Sequence, residues 1–228
     1  MSEDKAYQKG ESGKPVALEA REAASDGRRY SPSIDRNKDV IAEVFVEYVS
    51  ANARVLEIAS GTGEHGFHIC EAMPVLQWTY SDIDATSRTS QGAWRAGAGH
   101  DRLHGPLDLD VTQTDWADTL TGRFDTVFCA NMIHIAPFEA ARGLIRGAGA
   151  LLPPGGHLVL YGPFARDAEI APSNARFSED LKRRDESWGV RDLERDILPL
   201  AEQAGLTLHT VIDMPANNLS VIFQRQPE

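Results

Sequence analysis

From residue 30 onward the apolar positions of the chain alternate between two periods. Ser31-Pro32 sets a capping residue before proline at the first helical position, and Ile41, Val44, Phe45, Tyr48 and Val49 then follow helical spacing. RVLEIA (54–59) is a continuous apolar run that predicts a buried strand ending in a glycine turn. A helix follows to about Met73, where Pro74 stops it; LQWTYSD (76–82) predicts a second strand and 85–97 a second helix. The third strand is expected to end within LDLDV (107–111), and a short amphipathic helix to open at Thr114 and Asp115. FDTVFCAN (124–131) predicts a fourth strand, Pro137 begins a helix that LLPPGG (151–156) ends, and HLVLYGPF (157–164) predicts a fifth strand. A polar insertion over 165–189 leads to a helix at about 190–204, stopped by Gly205. Two last strands, LTLHTVIDM (206–214) and LSVIFQR (219–225), flank PANN.

Strands buried on both faces and alternating with helices form parallel sheets covered by helices. The last two strands are joined by four residues, too few for a parallel crossover, so they pair antiparallel. The predicted fold is therefore α/β, a doubly wound, mostly parallel sheet with a terminal antiparallel hairpin. Ligands of such sheets bind outside the carboxyl ends of the strands, which directs attention to the residues just after each strand.

Residues 1–29 stand apart. Their large apolar residues are Met1, Tyr7, Val16 and Leu18 alone, a composition that predicts a mostly disordered tail, with VALEAREAA (16–24) helical only if docked. Residues 30–228 are expected to form one domain, with 30–50 as a lid segment over the site. The chain of 228 residues carries 23 Lys and Arg against 34 Asp and Glu, a net charge of −11. The tail is balanced, so the excess of acid belongs to the body. That excess argues against nucleic-acid binding, which draws its affinity from Lys and Arg on phosphates. No apolar stretch approaches the ~20 residues of a membrane span, and the polar start MSEDKAYQKG has no signal core. Cys70 and Cys129 have neither zinc spacing nor partners for a disulfide framework, so no metal is expected and a cytoplasmic setting is.

The strand ends carry the chemistry. After the first strand comes Glu57-Ile58-Ala59-Ser60-Gly61-Thr62-Gly63-Glu64-His65-Gly66, whose glycines let the backbone approach a ligand. After the second come Asp82 and Asp84, 19 and 21 residues beyond Gly63. A carboxylate there has the two oxygens that match the cis-diol of a ribose. After the third come Asp108 and Asp110-Val111, and after the fourth Asn131-Met132-Ile133-His134. Each alone is a weak signal, since a lone Asp after a strand is often a helix cap. Four in register along one alternating chain are a stronger one.

This set resembles the class I S-adenosylmethionine (SAM) dependent methyltransferases over about residues 54–225, including the terminal hairpin of their Rossmann-like, seven-stranded sheet. The resemblance implies SAM as cofactor. It implies Glu57 with Ser60-Gly61-Thr62-Gly63 as the glycine loop, Gly61 and Gly63 near the methionine part, and Asp82 on the ribose diol. Asp110 would meet the adenine amino group with Val111 nearby, and Asn131 the sulfonium and amino-acid moiety. Ala59 departs from the pattern, standing where the loop's first glycine is usual, and Asp84 rivals Asp82. RYSPSIDRNKDVI (29–41), NMIHIAP (131–137), YGPF (161–164), APSNARF (171–177), WGVRD (188–192) and MPANNLS (214–220) resemble more narrowly an uncharacterised, mainly bacterial methyltransferase-like subfamily.

Methyl transfer needs alignment first and a base only if the acceptor is protonated at attack. His134 is the candidate base, against a packing role at a helix start; Tyr161 is a candidate acceptor contact, against simple packing. His65 either orients the glycine loop or meets the substrate. Arg36 and Asn37 have no packing need on the sequence pattern and are expected to contact the SAM carboxylate or the acceptor, beside Tyr30. Ser173, Asn174, Trp188 and Arg191 are expected to line the acceptor site, which suits a polar or aromatic small molecule. Two alternatives stand beside this reading. One is an NAD(P)-binding oxidoreductase, since Gly61-x-Gly63-x-x-Gly66 with an acid about 20 residues on also satisfies the dinucleotide pattern. The other is a non-catalytic SAM-binding protein.

Overall fold

A computed structural model describes residues 23–227 of the chain. Most of the expected disordered tail, and nearly all of 16–24, lies outside the described residues. The chain divides into two compact units, the first running to Leu109 and the second starting at Asp110.

The first unit contains α1 (Pro32–Tyr48), β1 (Arg54–Ile58), α2 (Glu64–Ala72), β2 (Gln77–Asp82), α3 (Ala85–Ala96) and β3 (Leu103–Asp108). Its strands run in the order β3-β2-β1, all parallel, with Arg54 opposite Gln77 and Trp78 opposite Leu103. The Ser31 hydroxyl accepts from the Ile34 N–H and Pro32 occupies the first turn, so α1 begins where the capping pattern predicts. Gly66 lets α2 lie against β2: a Cβ there would collide with the rings of Trp78 and Tyr80. Before α1, the Ala24 N–H donates to the Arg28 carbonyl and closes a turn. The Arg29 N–H to Ser90 Oγ (2.9 Å) and Trp94 Nε1–H to Arg29 O (3.2 Å) fasten that turn to α3. The segment expected as a lid over 30–50 is for the most part α1, which packs its apolar face and Asn37 inward, with Asn37 reaching His65 of α2.

The second unit contains β4 (Thr126–Ala130), α4 (Phe138–Leu151), β5 (His157–Ala165), α5 (Pro172–Arg184), β6 (Arg191–Asp192), α6 (Leu198–Gln203), β7 (Leu206–Met214) and β8 (Asn218–Arg225). β4 and β5 are parallel, and β8 then pairs antiparallel with both β5 and β7, giving the order β4-β5-β8-β7. The Rossmann-like, mostly parallel arrangement with a terminal antiparallel hairpin is the one expected.

β3 ends at Asp108, within the expected stretch, and leaves Leu109 to Val111 in the following loop. Three details differ from expectation. Among the described residues the strands number eight rather than seven, because the two-residue β6 adds to the end of β5 through Phe164 and Ala165. The helix expected from Thr114 is a single 3-10 turn, Trp116–Thr119. The polar insertion holds a 13-residue helix, α5, whose inward residues are Asn174, Ser178 and Leu181. With two of those three polar, α5 has no apolar stripe to betray it. No helix among the described residues is long and apolar enough to cross a membrane.

Candidate functional site

In the first unit the loop after β1 is left-handed three times over, at Ala59 (φ 56°), Gly61 (φ 56°) and Gly63 (φ 93°). Nothing lies within 4 Å of where a Gly61 Cβ would be, so the loop's backbone is open at that point. Asp82, at the end of β2, holds this loop: its Oδ2 accepts the Gly61 N–H at 2.9 Å and its Oδ1 the Asp84 N–H at 3.0 Å. Burial pushes the Asp82 carboxyl up to about 6, against the pull of those two N–H groups. A buried carboxylate has roughly four lone-pair sites; with two backbone donors and the Gln91 amide at 3.5 Å, Asp82 retains capacity for a further donor. Asp84 does a different job. Its Oδ2 accepts the Ser87 N–H at 2.7 Å and caps α3, which separates the two rival acids.

Other expected cofactor residues are taken up within the protein. Glu57 is 1% exposed; its Oε2 accepts the Trp78 indole N–H at 3.0 Å, and its Oε1 lies 3.7 Å from His65 Nδ1. His65 Nε2 pairs with Asn37 Oδ1 at 3.0 Å. Glu57, His65 and Asn37 thus form a buried chain from β1 to α1. Glu57 and Asn37, both buried, support the loop through this chain. The Ser60 hydroxyl donates to Glu57 O and accepts the Ser81 N–H, and the Thr62 hydroxyl donates to Glu64. Arg36 is exposed on α1, and Tyr30 is half-exposed against Trp94.

Two residues that sequence reasoning passed over complete the loop's support. Glu64, 6% exposed in the first turn of α2, accepts both the Ser31 N–H (2.5 Å) and the Thr62 hydroxyl (2.8 Å). Gln91 is fully buried on α3, and its amide donates to Gly61 O at 3.0 Å and reaches Asp82 Oδ2 at 3.5 Å. The one sequence signal for Gln91 was its place on the inward face of a helix that starts three residues after Asp82.

In the second unit Asp110 fastens its own loop. Its Oδ1 accepts the N–H (2.9 Å) and hydroxyl (2.7 Å) of Thr112, and its Oδ2 lies 3.4 Å from the Gln113 amide nitrogen. Val111 is buried, and its carbonyl lies where a Cβ on Gly143 of α4 would be. Asn131 is left-handed (φ 63°) and its N–H donates to the Tyr161 carbonyl at 2.8 Å, tying the ends of β4 and β5 together. A Cβ on Gly162 would lie 2.8 Å from His134 Nε2 and 3.3 Å from Asn131 Oδ1, so glycine is what lets these two side chains gather over the end of β5. Tyr161 beside it is buried.

His134 is fully buried, and its Nδ1 accepts the Arg191 backbone N–H at 3.3 Å. The acceptor nitrogen carries no proton, so the neutral ring carries it on Nε2, which has no hydrogen-bond partner among the described residues. Burial, aided by the Arg191 charge, lowers the imidazole to about 3. The ring's basic nitrogen is thus engaged within the fold. What the ring offers is an N–H donor.

The expected acceptor-site residues Ser173, Asn174 and Arg191 are also committed to the fold. The Asn174 amide donates to Asn217 O (2.8 Å), and Ser173 Oγ accepts the Asn217 amide (2.9 Å), which fixes the β7–β8 turn. The Arg191 guanidinium donates to the carbonyls of Ile133 (3.0 Å), Ala136 (2.9 Å) and Ser187 (2.7 Å), with its carbon 5.2 Å from the Phe138 ring. It clamps the loop that carries His134. Trp188 is buried next to this clamp in sequence. Among the described residues no group of three or more His, Cys, Asp or Glu is placed to hold a metal ion.

The fold has many solved counterparts. An O-methyltransferase family protein from Burkholderia thailandensis superimposes with a TM-score of 0.71 at 19% identity, over 85% of this chain and 57% of the other. Human N-acetylserotonin methyltransferase, solved in complex with SAM, gives 0.68 at 14% identity, over 86% and 53%. The mitomycin 7-O-methyltransferase gives 0.68 at 17% identity, over 83% and 54%. The chain thus spans little more than half the length of these proteins and shares the fold of SAM-dependent methyltransferases with them. Residues 28–225 match the family described as "Protein of unknown function (DUF938)", and the chain belongs to that family.

Proposed function

We propose that the chain is a SAM-dependent methyltransferase acting on a small-molecule N, O or S acceptor, in a cytoplasmic setting. The observation that carries this reading is Asp82: a buried carboxylate, pushed up to about 6, seated on the Gly61 N–H of a left-handed loop that is open at Gly61. That pair fits a ligand that brings a diol to the carboxylate and a polar chain to the glycine backbone. SAM, when bound, supplies a methyl carbon activated by a sulfonium and a neutral sulfide as leaving group. Within the first unit Asp82 would hold the ribose hydroxyls, and Gly61 and Gly63 would border the methionine part. The named superpositions support this assignment through the fold, and the human counterpart's complex with SAM supports the choice of cofactor.

The chain's own contribution would be alignment of acceptor and methyl, which is worth up to ~7–11 kcal/mol in a well-oriented reaction. His134, a donor through Nε2–H, would orient an acceptor's lone pair rather than remove its proton. Acceptors that attack as their own anion or as a neutral amine suit such a site, and those that need a strong base do not. The acidic charge of the body supports a small acceptor over a nucleic acid. Release of S-adenosylhomocysteine, measured with purified protein across a panel of thiols, phenols, carboxylates and amines, tests the activity. Turnover on any of them supports it; SAM binding without turnover across the panel favours a binding protein instead.

A further inference from the structure

The first unit carries a cleft of about 570 Å³ on its helical side; of the residues discussed above, Tyr30, Ser31, Glu64 and Trp94 line it. Tyr30, Phe67 and Trp94 supply aromatic walls, and Asp35, Lys38 and Glu64 supply charge. The Tyr30 ring stands edge-on to Trp94 with centroids 5.2 Å apart, and Phe67 lies 4.9 Å from Trp94. Tyr30 remains 48% exposed, so its ring is not explained by the core. Trp94 already attracts a cation: the Arg28 guanidinium carbon sits 4.8 Å from its centroid, held in place by Asp26.

The charges are unequal. Two carboxylates, Asp35 and Glu64, share the cleft with one ammonium, Lys38, which lies 2.5 Å from Asp35 and also feels Glu64. The hydrogen-bond donors to Glu64, the Ser31 N–H and the Thr62 hydroxyl, are both neutral, so the cleft keeps an excess of negative charge. Aromatic rings beside a carboxylate suit an organic cation, which gains from both the ring quadrupoles and the charge. A volume of this size falls within the ~300–1,000 Å³ of small-molecule sites. We propose that this cleft binds a small organic cation of the alkylammonium class, with Tyr30 and Phe67 as its aromatic contacts and Glu64 as its charge partner. This site stands independently of the methyltransferase reading.

Choline is the probe, and its neutral isostere 3,3-dimethylbutan-1-ol the control, titrated into the full chain by NMR and read at the Trp94 indole N–H. Choline is expected to give a saturable shift, with the isostere about tenfold weaker. Tyr30→Ala should weaken choline about fivefold or more, and Tyr30→Phe, which keeps the ring, should leave it within about twofold. No saturable shift by about 50 mM, equal affinity for the isostere, or an unchanged affinity in Tyr30→Ala would each overturn the proposal.

Discussion

The backbone N–H of Ser31 donates to Glu64 Oε2 at 2.5 Å, so the residue that caps α1 is held by the first residue of α2. The same oxygen takes the Thr62 hydroxyl, and one carboxylate therefore joins the approach to α1 to the glycine loop. Glu64→Gln offers the same shape with a weaker acceptor and should cost about 1.5–3 kcal/mol of stability. Chemical denaturation checks this; a loss below about 0.5 kcal/mol would mean the bond is incidental.

Ala59 holds φ 56° in a position where glycine is free of strain. A left-handed alanine costs about 1–2 kcal/mol, and glycine gives back about 0.5–1 through the entropy of the unfolded chain. Ala59→Gly should therefore stabilise the protein by roughly 0.5–1 kcal/mol. A destabilised variant would show that the methyl makes a packing contact that outweighs the strain.

Two buried groups give the stability of the free protein opposing responses to pH. Asp82 is raised from 3.8 to about 6, so its contribution is full below about pH 4 and is lost as pH rises through 6. His134 is lowered from 6.5 to about 3, so its contribution is present above 6.5 and is lost as pH falls toward 3. Between pH 4 and 6 the two oppose each other. Asp82→Asn removes the first alone, and its melting temperature should climb through this window more steeply than that of the wild type. Parallel profiles would show that Asp82 titrates normally.

Arg191 was legible as a functional residue only by its company in WGVRD; its three carbonyl contacts give it a structural task. Arg191→Lys keeps the charge and loses the planar fork, and should cost about 2–3 kcal/mol. Urea unfolding measures it, and a variant as stable as the wild type would return Arg191 to the list of ligand contacts.

The elements that were legible in the sequence are those with a strong period. VLEI, TVFC and HLVLY are apolar on both faces, and such runs have nowhere to lie but the middle of a sheet. α5 was not legible, because Asn174 and Ser178 face inward and satisfy their partners by hydrogen bonds, which leave no hydrophobic period. The site divides in the same way. Strand ends and the glycine loop follow from the alternation, and so did the residues at them. The direction in which each side chain points did not: Glu57 stands at a strand end like Asp82, yet its carboxylate is spent on the Trp78 indole. Glu64 stands 33 residues after Ser31 in the sequence, and only the fold brings the two together.

Calorimetry on the wild type and Asp82→Asn tests whether Asp82 and the glycine loop hold SAM. The wild type should bind SAM with a Kd below about 1 mM and more weakly as pH falls below 6, while Asp82→Asn should bind at least about tenfold more weakly. Correctly folded protein that gives no binding heat with SAM would rule out a SAM site, and an Asp82→Asn variant with wild-type affinity would rule out Asp82 as its ligand.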